Sequence, residues 1–173
     1  MIKRVALIGA SSTGKSTVFE LLKTKLDKYH FVNESTRSVA KFGFPINEQG
    51  TDATQLAISS FHLKALHKAF DTIYDRCFLD LVVYTKYMDQ VNSETKNFIN
   101  DMWESVKNDY THYIYFPIEF KSVDDGVRSV NEKWRRKIDK EFVKELKSMK
   151  KDYLTITGSP MQRVDQILKY IQC

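Results

Sequence analysis

Short runs of four or five mostly β-branched, aromatic or aliphatic residues alternate with longer amphipathic segments along the 173-residue chain. The runs Arg4–Ile8, His30–Asn33, Thr72–Asp75, His112–Phe116 and Tyr153–Thr157 read as strands. Helical patterns lie between and after them, near residues 15–27, 35–42, 52–68, 78–90, 93–108, 131–150 and 160–171. Such alternation predicts an α/β fold on a parallel sheet with right-handed βαβ winding. Val5-Ala6-Leu7-Ile8 is wholly apolar, as a central strand covered on both faces requires. In the 131–150 segment Trp134, Ile138, Phe142, Leu146 and Met149 recur at three- or four-residue steps and predict one buried stripe. Lys133, Arg136, Lys137, Lys140 and Lys144 take other positions around the same helix. In Thr51–Leu66, the residues Leu56, Ile58, Leu63 and Leu66 predict an ordinary buried helix. No repeat or long linker interrupts the pattern, so a single domain over residues 1–173 is expected.

Composition narrows the class. With 42% hydrophobic and 28% charged residues the chain is of ordinary globular make-up. No apolar run is long enough to span a bilayer, and the N-terminal stretch has no signal-peptide cleavage pattern. The two cysteines, Cys77 and Cys173, match neither a zinc nor a disulfide pattern, so a cytoplasmic location is expected. The net charge of +5 is uneven: residues 1–120 balance, whereas residues 121–173 hold 13 basic and 8 acidic groups. That end suits an anionic ligand, polyphosphate or nucleic acid; a solvated lysine-rich helix face is the alternative.

Chemistry concentrates after the first strand. Gly9-Ala10-Ser11-Ser12-Thr13-Gly14-Lys15-Ser16, followed by Thr17, satisfies G-x-x-x-x-G-K-[ST], with an apolar strand before it and an amphipathic helix after it. Such a loop wraps polyphosphate with backbone N–H groups and adds the positive end of a helix. Lys15 is expected on the β- and γ-phosphates of ATP, and Ser16 on Mg²⁺. No N-K-x-D stretch or LSGGQ-type signature accompanies the loop, which disfavours a Ras-like GTPase and a transporter ATPase.

Further candidates stand at predicted strand ends. Asp75, closing the third strand, is positioned to hold Mg²⁺ through water, and Arg76 to contact substrate phosphate. Asp80 follows one turn on, with Tyr84 on the same helical face; capping of the helix near Phe78 is the competing role for Asp75 and Asp80. Glu34, beyond the second strand, could take a proton from an acceptor hydroxyl, with Arg37 orienting it, or could serve as a helix start. Asp124-Asp125-Gly126-Val127-Arg128 suggests a flap, with Arg128 and either Arg135 or Arg136 stabilising transferring charge; a plain turn and surface helix is the alternative.

Taken together, Gly9–Thr17, Glu34-x-x-Arg37, Asp75-Arg76-x-x-x-Asp80-x-x-x-Tyr84, Asp125-Gly126-x-Arg128 and Thr157-Gly158-Ser159 with Arg163 form a pattern. It resembles the P-loop kinase family typified by the ribosylnicotinamide kinase domain of bacterial NAD-salvage regulators and by small phage-encoded ATPase/kinase proteins. The resemblance implies a three-layer αβα P-loop NTPase fold with a five-stranded parallel sheet in the order 2-3-1-4-5. It implies a lid near 121–136 and an adenine-contacting loop from Gly158 to Arg163. It also implies that Glu34 acts as base or acceptor ligand, and that Gln55, Phe61 and His62 on the Thr51–Leu66 segment face an acceptor base. Nothing in these 173 residues matches the nucleotidyltransferase or helix-turn-helix portions of those regulators, so nicotinamide riboside is not carried over as acceptor.

The expected function is transfer of the γ-phosphoryl of ATP to a nucleoside or nucleoside monophosphate. The catalytic set is Lys15, Glu34, Asp75 and Arg128; the ATP set is Gly9, Ser11 to Thr17, Gly158 and Arg163. The acceptor would meet Glu34, Arg37, Arg76 and Asp80, and the metal Ser16 and Asp75. Two alternatives stay open: a kinase acting on nucleic acid, at a 5′ end or a hydroxymethylated base, and a nucleotide-driven ATPase or switch. No membrane partner is expected, and a homodimer stays open.

Overall fold

The computed structural model describes residues 2–66, 69–122 and 129–172. Five parallel strands, β1 (Arg4–Ile8), β2 (His30–Val32), β3 (Thr72–Asp75), β4 (His112–Tyr115) and β5 (Tyr153–Thr155), form one sheet in the order β2-β3-β1-β4-β5. Seven helices connect or follow them: α1 (Lys15–Lys23), α2 (Ser35–Lys41), α3 (Asp52–Leu66), α4 (Phe78–Thr85), α5 (Ser93–Val106), α6 (Glu132–Ser148) and α7 (Pro160–Gln172). This is a three-layer P-loop NTPase fold.

The period-2 alternation of the strands sorts the core into two layers. Val5, Leu7, Ile73 and Ile114 point to the face covered by α1 and α7, where they pack with Val18, Phe19, Leu22, Val164, Ile167 and Ile171. Ala6, Ile8, Tyr74, Tyr113 and Tyr115 point the other way, against residues of α2 to α6. Ala6 pairs with Tyr74 on one side and Tyr113 on the other. A small central residue thus leaves room for rings on both neighbouring strands. The predicted stripe of α6 is the one that is buried, with Met149 only partly covered. Asn131 starts that helix by accepting from the Trp134 amide at 3.1 Å.

Two departures from the sequence reading have local causes. α1 stops at Lys23 because Thr24 and Lys25 donate back three residues, to Leu21 and Leu22. α4 stops at Thr85, where Tyr87 and Met88 likewise bond three residues back instead of four. A one-turn 3₁₀ segment at Asn47–Gln49 had no sequence signal. The largest correction concerns α3. Leu56 is 44% exposed, and Phe61 also faces outward, while Thr54, Gln55, Ser59 and His62 join Ile58 and Leu66 on the buried side. The inward face of α3 is therefore mostly polar.

No helix among the described residues is long and apolar enough to cross a membrane. Phe142 fastens α6 to the sheet layer and is wholly buried. Phe142→Ala is expected to cost about 3–5 kcal/mol in chemical denaturation, and a loss under about 1 kcal/mol would show that α6 is not fastened through this residue.

Candidate active site

The strand order places the ligand edge at the carboxyl ends of β1 and β3, where connections leave in opposite directions. From Ile8 the chain turns through Gly9 at φ 138°, where a Cβ would stand 2.5 Å from the Phe116 carbonyl oxygen. Only glycine fits there. Ser12 (φ 54°) and Gly14 (φ 86°) are also left-handed, and α1 begins immediately afterwards.

Five successive carbonyls of this loop accept from cations. Lys15 Nζ folds back onto the Gly9 and Ala10 oxygens at 2.8 and 2.6 Å, and onto Thr13 Oγ1 at 3.1 Å. Arg135, at 1% exposure, donates from Nε to the Ser11 oxygen (2.7 Å) and from Nη2 to that of Ser12 (3.1 Å). Arg163 donates from Nη1 to the Thr13 oxygen at 2.7 Å, from Nε to the Gly158 oxygen, and from Nη2 to Glu119. With its carbonyls engaged in this way, the loop and the start of α1 present an electropositive cradle for an anion. A cleft of about 290 Å³, its open mouth included, lies over it, lined by Ser12 to Thr17 together with Glu34, Asp75 and Arg76.

Ser16 Oγ donates to Asp75 Oδ2 at 3.1 Å. Asp75 Oδ1 is buried without a hydrogen-bond partner among the described residues. Burial, then the charge of Glu34, pushes the Asp75 pKa up. An acceptor oxygen so destabilised beside a hydroxyl suits a hard cation, which favours oxygen ligands. No group of three or more His, Cys, Asp or Glu among the described residues could hold a metal. Mg²⁺ would therefore need phosphate oxygens and water beside Ser16 and Asp75, which is its usual preference.

Beside this pair runs a buried ionic network. Arg76, at φ 76°, follows β3 in a strained conformation, with its amide bonded to the Leu7 oxygen at 3.0 Å. Its Nε donates to Glu34 Oε1 at 2.5 Å and its Nη1 to Asp80 Oδ1 at 3.0 Å, and its guanidinium lies 5.2 Å from the Tyr84 ring centre. Asp80 Oδ2 accepts from the Cys77 amide at 2.9 Å, so Asp80 both caps α4 and pairs with Arg76. Asp75 caps nothing of the kind. Glu34 makes no side-chain cap to α2; Arg37 Nε approaches its Oε2 at 3.3 Å.

A second cleft, of about 600 Å³ including its open mouth, adjoins the first. Gln55, Ile58 and His62 of α3, Leu81 and Tyr84 of α4, and Met88 line it. Gln55 Oε1 accepts from Thr85 Oγ1 at 3.0 Å, and His62 Nε2 lies 3.2 Å from Ser35 Oγ. Glu34 and Arg76 line both clefts.

Burial sets the protonation of this region. It lowers Lys15 to about 7, with repulsion from Arg76 adding to the effect, and it raises Asp80 to about 6 against the pull of Arg76 and Lys15. His62 falls to about 4 through burial and then Arg76. Burial also opposes the Arg76 charge, but Glu34, Tyr84 and Asp80 outweigh it and leave its pKa well above the usual arginine value.

The structure thus brings together Gly9 to Thr17, Glu34, Arg37, Asp75, Arg76 and Asp80. Gln55 and His62 face the second cleft, and Phe61 does not line it. Arg128, with Asp124, Asp125 and Gly126 of the expected flap, lies outside the described residues. Of the two helix arginines, Arg136 is exposed, whereas Arg135 grips the loop backbone. Sequence reasoning missed that grip, because Arg135 sits among surface-type charges with only its neighbour Trp134 to hint at burial. It also missed the unpaired Asp75 oxygen and, on α3, the inward turn of Thr54 and Ser59.

Phosphate arriving beside Lys15 would favour the ammonium form. Above pH 7 nucleotide binding should then take up a proton, and affinity should fall by up to about tenfold per pH unit. Binding heats at pH 8 in buffers of different ionisation enthalpy test this directly. Equal heats in all buffers would show that Lys15 is already charged.

Comparisons agree with this geometry. A family of AAA domains (AAA_28) matches residues 4–163. No curated protein matches the sequence. Among solved structures, NadR protein in complex with NAD and AMP-PNP superposes with a TM-score of 0.76 at 14% identity, over 99% of this chain and 50% of that one. The chain thus spans half the length of NadR. Deoxyadenosine kinase from M. mycoides, with dCMP and dCDP bound, gives 0.75 at 16% identity over 98% of both chains. Thymidylate kinase from Candida albicans gives 0.69 at 18% identity, over 99% of this chain and 91% of that one. At these identities the likeness establishes a common fold, while the family match runs through the phosphate loop, Glu34, Asp75-Arg76 and Arg163: the chain belongs to the AAA domain family AAA_28, with the fold of the P-loop nucleoside and nucleotide kinases.

Proposed function

We propose that the protein transfers the γ-phosphoryl group of ATP to a nucleoside or nucleoside monophosphate. The observation that carries this reading is the shared wall: Glu34 and Arg76 line both the phosphate cleft and the larger cleft beside it. An acceptor in the second cleft would face a nucleotide in the first across these two side chains. The kinases named above, similar in fold, support the same reading.

In this scheme the loop and α1 hold the triphosphate, and Lys15 leaves the Gly9 and Ala10 carbonyls to reach the β- and γ-phosphates. Ser16 and Asp75 would hold Mg²⁺, which neutralises phosphate charge. Glu34 accepts the proton of the acceptor hydroxyl as the new O–P bond forms, and the bond from γ-phosphorus to ADP breaks. Arg76 keeps the Glu34 carboxylate turned toward the boundary. Arg128 and the Gly158–Arg163 loop are assigned to charge stabilisation and to the adenine, respectively. Because Arg163 is tied to Thr13, it would act from a position fixed against the phosphate loop.

A nucleic-acid acceptor is the second reading, favoured by the exposed Lys133, Arg136, Lys137, Lys140, Lys144 and Lys147 along α6. ATP turnover with Mg²⁺ against nucleosides, nucleoside monophosphates and short DNAs, with products resolved by mass, separates the two. A phosphorylated small acceptor is expected. Phosphate on DNA would favour the second reading, and release of inorganic phosphate alone would mark an ATPase or switch.

Lys15→Ala is expected to abolish transfer and weaken ATP binding; unchanged binding and turnover would overturn the assignment. Glu34→Gln should lower the transfer rate by about 10²–10⁴-fold while ATP affinity holds. A wild-type rate in that variant would leave Glu34 as an ion-pair partner only.

A further inference from the structure

Helix α6 carries a charge pattern that the chemistry of the clefts does not use. Lys133, Lys137, Lys140, Lys144 and Lys147 are exposed and follow one another at steps of four, three, four and three residues. At about 100° per residue, such steps keep all five within about 80° of arc, as one straight ridge about 21 Å long. Arg136, also exposed, stands at the edge of that arc.

The carboxylates of the helix lie on the flanks of the ridge, and each is engaged. Glu132 accepts from Arg135 and from the Ser122 amide, and Asp139 from the Tyr115 hydroxyl. Glu141 accepts from Lys86 and Tyr87, and Glu145 from Lys86. Within the ridge, Lys144 reaches Glu141 at 3.5 Å, and Lys137 lies 4.4 Å from the Tyr87 ring centre. Lys133, Arg136, Lys140 and Lys147 form no ion pair among the described residues. Beyond the helix, Lys150 and Lys151 add positive charge and Asp152 offsets part of it.

A row of cations is matched by a row of anions. The apolar side of α6, with Trp134, Ile138, Phe142 and Leu146, is spent on the core, so the helix has nothing to sink into a bilayer. The ridge also lacks the aromatic anchors through which proteins usually hold one another. A phosphodiester strand needs neither. A flexible single strand can follow a straight ridge throughout, whereas a duplex backbone winds away from it within part of a turn. Both rings of α6, Trp134 and Phe142, are buried, so contact would be with phosphates and not with stacked bases.

We propose that the α6 ridge binds single-stranded nucleic acid through its phosphates, without regard to sequence and whichever acceptor the site uses.

The test is fluorescence anisotropy of a labelled, mixed-sequence DNA strand of about 20 nucleotides, without ATP, over a range of salt concentrations. Five phosphate contacts predict a slope of log affinity against log salt of about −3.5, a loss on the order of 100-fold between about 50 and 200 mM. Lys140→Gln, Lys144→Gln and Lys147→Gln together should flatten that slope by about 2. Lys25→Gln, Lys28→Gln and Lys64→Gln, at exposed positions elsewhere, change the charge equally and should leave it unmoved. Equal flattening in the two variants would show net charge alone at work and overturn the ridge. No binding, or binding that ignores salt, would overturn the proposal, as would attachment to phosphatidylserine vesicles with none to DNA. Tighter binding of the matching duplex would overturn the choice of a single strand. No turnover is read, so the result stands apart from the fate of the phosphotransferase reading.

Discussion

A guanidinium removed from water must have its charge balanced where it stands, and Arg76 is where this protein meets that demand. Two separate pieces of chain converge on it: Glu34 from just beyond β2, and α4, which brings Asp80 from its first turn and Tyr84 from the next. Removing Arg76 would leave the buried Asp80 carboxylate without its ion-pair partner, a defect usually worth several kcal/mol. The left-handed backbone at Arg76 becomes intelligible in the same terms, because the surrounding pairs over-determine it. Position in the sheet does the rest. Since Leu7 is in register with Asp75, the residue after β3 emerges level with the start of the phosphate loop.

Much of this was legible in the residues. Short β-branched and aromatic runs located all five strands, and β1, β3 and β4, buried almost throughout, leave few polar positions to blur the pattern. The G-x-x-x-x-G-K-S run located the loop, because glycine is demanded at Gly9 by the Phe116 carbonyl and at Gly14 by a left-handed turn. Asp80 and Tyr84 were readable as one helical face, and the structure sets both against Arg76. For Asp80 the sequence offers acceptor contact or capping; in the structure one carboxylate oxygen caps α4 and the other pairs with Arg76.

What escaped the sequence was part of the polarity turned inward, at Thr54 and Ser59. In α3 the apolar Leu56 and Phe61 face outward, and Thr54, Gln55 and His62 face in beside Ile58 and Leu66, so a hydrophobicity rule reads only part of the inward face. Helices that wall a polar cleft break that rule because their inner face answers to a ligand as well as to the core. The contribution of Arg135 escaped for a related reason. Its acceptors are backbone carbonyls more than a hundred residues away, and carbonyls carry no side-chain signal.

That long-range grip bears on the order in which the molecule can become competent. Ser11 and Ser12 are held from position 135 and Thr13 from position 163, across sequence separations of 124, 123 and 150 residues. A chain emerging from the ribosome would display the phosphate-loop residues long before it could fix their shape. Contacts so distant in sequence close late, after the entropy of the intervening chain has been overcome. The grip on the phosphate loop thus arrives with α6 and α7, and a half-made chain would carry the motif without it.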